Sequence, residues 1–143
     1  MRPTYETLQT LAIEAETMKA ACSVWGAKER KLAARYQIDW AVLNSDGNMR
    51  AWAECKRRYH QYGKYDTLML SLGKYREGRQ LCLDTGMPFL LIVEWDDGIR
   101  WMRASADMPA IGLGGREDRN DPDDIEPCVF IPIESFKLLV TRP

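Results

Sequence analysis

Residues 36 to 56, "YQIDWAVLNSDGNMRAWAECK", set two apolar runs on either side of a turn, and each run carries one carboxylate where an apolar residue is expected. Asp46-Gly47 is a strong signal for a two-residue type I′ turn, whose central positions both need positive φ. A hairpin hinged there has a fixed register. Ser45 faces Asn48, Leu43 faces Arg50, Ala41 faces Trp52, Asp39 faces Glu54 and Gln37 faces Lys56. Side chains alternate along strands, so these residues share one face. Ile38, Trp40, Val42, Ala53 and Cys55 fill the other.

This register sets two carboxylates directly opposite, with β-carbons about 4.5–5.5 Å apart. Like charges so close repel and destabilise a hairpin. A shared proton, the nearby Lys56, or a divalent cation held by oxygen ligands could offset the repulsion. A solvated pair would be idle surface. Here the neighbours are Trp40, Val42, Trp52 and Ala53, which argues for burial and makes an idle pair costly.

Apolar spacing predicts a helix over 4–22, with Leu8, Leu11, Ala12, Ala15, Met18 and Cys22 on its face and Pro3 and Thr4 at its start. "SVWGAKERKLA" reads as a link broken at Gly26. A second helix is expected over 64–85, despite Gly73 and Gly78, stopped at Gly86 before Pro88. "PFLLIVEW" reads as a buried strand, "DDG" as a turn and "IRWMRA" as the returning strand. "GLGGREDRNDPDDIEP" reads as a long exposed acidic loop, "CVFIPI" as a last strand, and "ESFKLL" as a turn of helix or an edge segment. The order is α-β-β-α-β-β, with room for a right-handed crossover between strand 49–56 and strand 88–95. The expected fold is α/β, with a mixed central sheet flanked by helices.

The 143 residues suit one domain, 1–143, with a core over about 5–103 and a C-terminal extension over 104–143. At 45% hydrophobic and 29% charged the chain has a soluble composition, and its net charge of -1 means a nucleic-acid partner needs a local basic patch. No stretch is long enough for a membrane span, and "MRPTYETLQ" lacks the apolar core of a signal peptide. Cys22, Cys55, Cys82 and Cys128 are dispersed, with His60 the one histidine, which argues against a zinc site or a disulfide scaffold. A cytoplasmic protein with reduced thiols is the simple expectation. The acidic segment 116–126 lacks EF-hand spacing and its central glycine.

Asp39 followed by Glu54-Cys55-Lys56 resembles the PD-(D/E)XK nuclease superfamily, whose motif is an Asp near the end of one strand and (D/E)-x-K on the next. Three residues alone are a weak signal, and Glu29-Arg30-Lys31 is a second match, discounted because it falls on no predicted strand. The Glu54 match gains from its register with Asp39 and from the helices around the hairpin, as in the superfamily's α-β-β-β-α-β restriction-endonuclease-like core. On the second helix, Thr67, Ser71, Lys74 and Gly78 form one stripe. Ser71-x-x-Lys74 looks like the S-x-x-(Q/K) motif of small phage-type and VRR-NUC-like members, with Lys74 where many have Gln. Ile38 stands where the motif often has Pro. The resemblance covers about residues 5 to 103.

The resemblance implies a Mg²⁺- or Mn²⁺-dependent nuclease acting on DNA. Asp39, Glu54 and the Cys55 carbonyl would hold the ion, and Lys56 would orient or deprotonate water or stabilise the transition state. A first-helix carboxylate often completes such sites; Glu14 or Glu16 would serve, with a lean to Glu14. Ser71 and Lys74 would contact the scissile phosphate. "KRRYHQYGKY" interleaves Arg57, Arg58 and Lys64 with Tyr59, His60, Tyr62 and Tyr65, the composition of a backbone-binding loop. Small size points to structure- or end-directed cutting in phage-type replication, recombination or repair, in a bacterial or phage-infected cell. A homodimer fits, since junction-cutting relatives need two sites. The competing expectation is a catalytically silent nucleic-acid- or protein-binding module on the same fold.

Overall fold

The computed structural model of the chain describes residues 8–115 and 125–143. A six-stranded mixed sheet forms its centre. Helix α1 (Leu8–Val24) leads into β1 (Lys28–Lys31), β2 (Trp40–Leu43) and β3 (Met49–Arg57), an antiparallel series. Strand β4 (Thr67–Ser71) and helix α2 (Leu72–Thr85) precede β5 (Phe89–Trp95), which returns parallel to β3. β6 (Gly98–Arg103) follows β5, and β9 (Lys137–Thr141) takes the far edge, giving the order β1-β2-β3-β5-β6-β9. β4 pairs instead with β8 (Ile125–Pro132), and β8 with β7 (Ala110–Gly115), in a second, three-stranded sheet. The α-β-β-β-α-β core expected from the resemblance is present as α1, β1, β2, β3, α2 and β5.

The two faces of the central sheet make two cores. On one, Met18, Ala21 and Cys22 of α1 pack on Trp40, Val42, Ala53, Cys55 and Ile92. On the other, Trp52, Phe89, Leu91 and Val93 meet Tyr75 of α2 and Leu68, Leu70, Val129 and Ile131 of the second sheet. Gly78 lets α2 lie directly on Phe89: a Cβ there would sit 2.3 Å from the ring. The Trp52 indole donates to the Thr85 hydroxyl at 3.1 Å and ties the helix end to β3.

Several expectations need correction. The hairpin loop is not a two-residue turn. The Asn44 side chain accepts the N–H groups of Asp46 (3.0 Å) and Asn48 (2.9 Å), and the Asn44 N–H donates to the Asn48 carbonyl at 2.8 Å. This side-chain-to-backbone turn widens the loop to Ser45, Asp46 and Gly47, with Gly47 at φ 85. Asn44, not Ser45, faces Asn48, and Leu43 pairs with Met49 rather than Arg50. A bulge between Leu43 and Val42 leaves Arg50 extra on β3 and restores the expected register, with Ala41 opposite Trp52 and Trp40 opposite Ala53.

Gln37 does not face Lys56. It takes a left-handed φ of 60 after a 3-10 turn at Ala34–Tyr36, so the chain leaves strand geometry before Asp39. For the same reason Ile38 joins the core with Trp52, not the face of Trp40 and Val42.

The link 23–33 contains a strand, β1, which takes its hydrogen bonds from β2 with no apolar pattern of its own. Glu29-Arg30-Lys31 therefore does lie on a strand, though Glu29 pairs with Val42, which faces α1. The helix expected over 64–85 begins at Leu72. Residues 67–71 alternate, with Leu68 and Leu70 buried, and that period of two wins as β4. The expected stripe from Thr67 to Gly78 thus spans a strand and a helix. The glycine-rich start of the expected acidic loop is β7, and its end belongs to β8. The acidic residues 116–124 lie outside the described residues, as do Pro3 and Thr4. α1 runs to Val24, and its buried stripe is Glu14, Thr17, Met18, Ala21 and Cys22; Leu8, expected on that stripe, is 87% exposed. The 3-10 turn Ile133–Ser135 begins on the last residue of the expected strand "CVFIPI" and runs into the segment "ESFKLL", expected as a turn of helix or an edge, whose remainder enters the edge strand β9.

Candidate active site

Strand β3 lies between β2 and β5, so its middle residues are covered on both sides. Glu54, in that middle, is 1% exposed and pairs with Leu91. Asp39 stands just before β2, its carbonyl fixed by the Leu32 N–H at 2.8 Å. Lys74, in the first turn of α2, reaches down between them. Its ammonium donates to Glu54 Oε1 at 2.8 Å and to Asp39 Oδ2 at 3.4 Å. One cation contacting both carboxylates brings them to a common point, on the face that holds Trp52. Lys56 Nζ lies 3.7 Å from Glu54 Oε1, and Lys31 Nζ lies 3.4 Å from Asp39 Oδ1.

Burial pushes the Glu54 carboxyl above its usual range; Lys56 and Lys74 pull it back, while Asp39 pushes it further up. Burial alone would lower the Lys74 ammonium, but Glu54 and Asp39 outweigh it and hold the group above its ordinary value. Three lysines against two carboxylates leave the site locally cationic, suited to an anionic ligand.

Glu54 Oε2 is buried with no hydrogen-bond partner. A buried anionic oxygen without a partner is costly, and a hard cation would satisfy it. The donor set fits Mg²⁺ or Mn²⁺, which can bind through one or two carboxylates and keep several waters. Among the described residues no group of three carboxylate, imidazole or thiol side chains forms a fuller cage.

The remaining candidates divide. The Cys55 thiol turns to the α1 side, buried, 3.8 Å from the Glu14 carbonyl, and burial raises its pKa well above the ordinary value. Only its backbone could serve the carboxylate site. Glu14 is 8% exposed, whereas Glu16 is on the exposed side of α1. Ser71 is the N-cap residue of α2, three positions before Lys74, and makes no side-chain capping bond.

In the basic-aromatic segment, Arg57 pairs with Asp96 at 3.0 Å and lies over the Tyr59 ring at 4.3 Å. Tyr62 is fully engaged: its hydroxyl donates to the Ile133 carbonyl at 2.8 Å, and Arg100 covers its ring at 3.7 Å. Tyr59 and Tyr65 are exposed, as is Lys64, while His60 meets the Tyr65 ring edge-on at 5.1 Å. Sequence reasoning missed Lys31 as an Asp39 partner. Its signal was the charged run "KERK", which an edge strand can carry.

A family model described as "Phage putative PDDEXK endonuclease" matches residues 1–139. The chain belongs to that family. Nuclease activity for this PDDEXK endonuclease family member is thus supported at the family level. Among solved structures it is similar to Hjc, a Holliday junction resolvase from the archaeal hyperthermophile Archaeoglobus fulgidus. The similarity has 16% identity and a TM-score of 0.43, and covers 65% of this chain and 72% of the resolvase. No curated protein matched the chain. Among the described residues no helix is long and apolar enough to cross a membrane.

Proposed function

We propose that this chain is a metal-dependent nuclease that hydrolyses DNA phosphodiester bonds, in a structure- or end-directed manner, within phage-type replication, recombination or repair. One observation carries the reading: a buried Glu54 with an unsatisfied oxygen converges with Asp39 amid Lys31, Lys56 and Lys74.

Asp39, Glu54 and the Cys55 carbonyl would hold Mg²⁺ or Mn²⁺, which when bound would supply charge stabilisation at the phosphate and activation of water. Lys56, beside Glu54, orients the attacking water and offsets charge gathering on the phosphate oxygens. Lys74, at the start of α2, contacts the scissile phosphate together with Ser71. Glu14, the carboxylate expected from the first helix, lies with α1 across the sheet from the carboxylate pair, where its charge acts on Cys55 and Arg58 instead. The segment 57–65 holds the nucleic-acid backbone through Arg57, Arg58, Lys64 and His60 and offers the exposed Tyr59 for stacking, with Tyr62 bracing it from within. The chain works as one domain in the cytoplasm, with a homodimer supplying paired cuts.

The test incubates the protein with supercoiled, linear and branched DNA in Mg²⁺, Mn²⁺ or EDTA, beside Glu54→Ala and Lys56→Ala. Metal-requiring cleavage that both folded variants lose supports the proposal. Absence of cleavage with binding that survives both substitutions replaces it with the silent binding module.

A further inference from the structure

The active-site strand does not stop at Lys56. The Arg58 N–H donates to the Glu94 carbonyl at 2.8 Å, so strand geometry continues, and Arg58 falls on the same face two residues on. At about 3.3 Å per residue the two side chains are rooted roughly 7 Å apart. Arg58 forms part of a cleft of about 500 Å³, whose walls include Trp95, Phe130 and Met69 and whose lining also includes His60, Tyr65 and Thr67. Another wall, β4, runs straight into Ser71 and α2. Both walls therefore lead from the cleft to the carboxylate site.

The Arg58 guanidinium makes one hydrogen bond, to the Met69 carbonyl at 3.0 Å. Among the described residues no carboxylate lies within ion-pair distance of it. Burial lowers its pKa and the Glu14 charge raises it. An arginine has five donors in a planar fork suited to phosphate, so most of its capacity is unused. Apolar rings beside a cation with no carboxylate in direct contact among the described residues describe a ligand that is flat, aromatic and anionic, and the volume falls in the range of ligand sites, about 300–1,000 Å³. A base inside a duplex cannot reach such a cleft without leaving the stack.

We propose that this cleft takes an unpaired nucleotide of the bound strand, its base against the rings and its phosphate on Arg58, next to the scissile phosphate. The inference rests on the nuclease reading and narrows its substrate to DNA with an unpaired nucleotide at the cut, such as a flap, gap or branch.

The test measures binding in EDTA, where metal-dependent cutting is silent, to a flapped and to a fully paired DNA of equal length, with thymidine monophosphate as competitor. The full-length chain is compared with Thr67→Trp, which fills the cleft, and Tyr65→Ala, which removes an exposed ring. A stacked base is worth about tenfold in affinity. The flap preference should be about tenfold, drop to near one in Thr67→Trp and fall in Tyr65→Ala. 5-Iododeoxyuridine in the flap should crosslink on irradiation to Tyr65, His60 or Phe130. Equal affinities for the two DNAs, a preference unchanged in Tyr65→Ala and in folded Thr67→Trp, or crosslinks elsewhere would overturn the inference. So would thymidine monophosphate erasing binding of both DNAs alike. Metal-dependent cleavage without a flap preference sinks this inference alone. Cleft-dependent flap binding without cleavage sinks the nuclease reading alone.

Discussion

Lys74 donates to Glu54 Oε1 at 2.8 Å from the first turn of the following helix, closing the open side of the carboxylate pair. A divalent ion drawn to the unpartnered Oε2 would share this small carboxylate with the ammonium, so the two cations repel and compete. Lys74→Met should bind Mn²⁺ roughly tenfold more tightly in a calorimetric titration, since a buried ion pair no longer has to be broken. The same variant should melt lower without metal, because the carboxylates then face each other unshielded. An unchanged Mn²⁺ affinity would place the ion away from the Glu54 carboxylate.

Glu54 also predicts a pH dependence. Its pKa is raised above the ordinary 4.5 on folding. The folded chain therefore keeps this proton to higher pH than the unfolded chain does, and stability is lost as pH rises through the folded value. Melting of the metal-free protein should fall with pH from 4.5 upward, and Glu54→Gln should flatten that fall. Lys74, raised from 10.5, contributes stability that is lost only at pH above that value. Asp97 shifts the other way: burial raises it, but the Tyr62 N–H and Arg100 hold it below its ordinary 3.8. Its contribution is lost as pH falls below that value. The windows do not overlap, so a flat profile between 4.5 and neutrality would contradict a Glu54 carboxyl raised by burial.

Lys56 is 27% exposed and 3.7 Å from Glu54, close enough to act on a reactant without being a ligand itself. Lys56→Ala should cut the cleavage rate by about 10²–10⁴-fold, the range for a lost proton-transfer group. Mn²⁺ affinity should stay within a few-fold of the parent. A parallel loss of metal binding would make Lys56 a structural counter-charge.

Gly78 offers a test of packing with an unusual sign. In an exposed helix Gly→Ala stabilises by about 1 kcal/mol. Here the added carbon meets three atoms of the Phe89 ring at 2.3–2.5 Å, with no flexible side chain to give way. Gly78→Ala should destabilise by about 1–3 kcal/mol in urea unfolding and shift Lys74 off the carboxylates. A stabilised variant would mean that α2 sits farther from β5.

What could be read from the sequence depended on how local its cause was. The facing of Ala41 and Trp52 followed from alternation and a turn signal, and it holds. β1 was invisible because "KERK" carries no apolar period, and its strand state comes from β2 alone. "TLMLS" was absorbed into a helix because five residues fit either period; only the β8 partner decides. Lys74 was visible as part of a motif. Its contact with both carboxylates was not, since that depends on Gly78 letting α2 settle onto Phe89. The cleft at Arg58 needs Phe130, more than seventy positions away, and no local pattern announces such a meeting.

The hairpin tip carries one residue more than its shortest form, and the bulge at Arg50 takes one residue back before the ladder reaches Trp52. The two irregularities act together as a vernier: chain length can change at the tip while the pairing deeper in the sheet keeps its setting. A one-residue deletion in 45–47 can be absorbed by straightening the bulge, and Glu54 stays aimed at Asp39. The same deletion placed between Trp52 and Glu54 has nothing to absorb it and turns that carboxylate to the opposite side of the sheet.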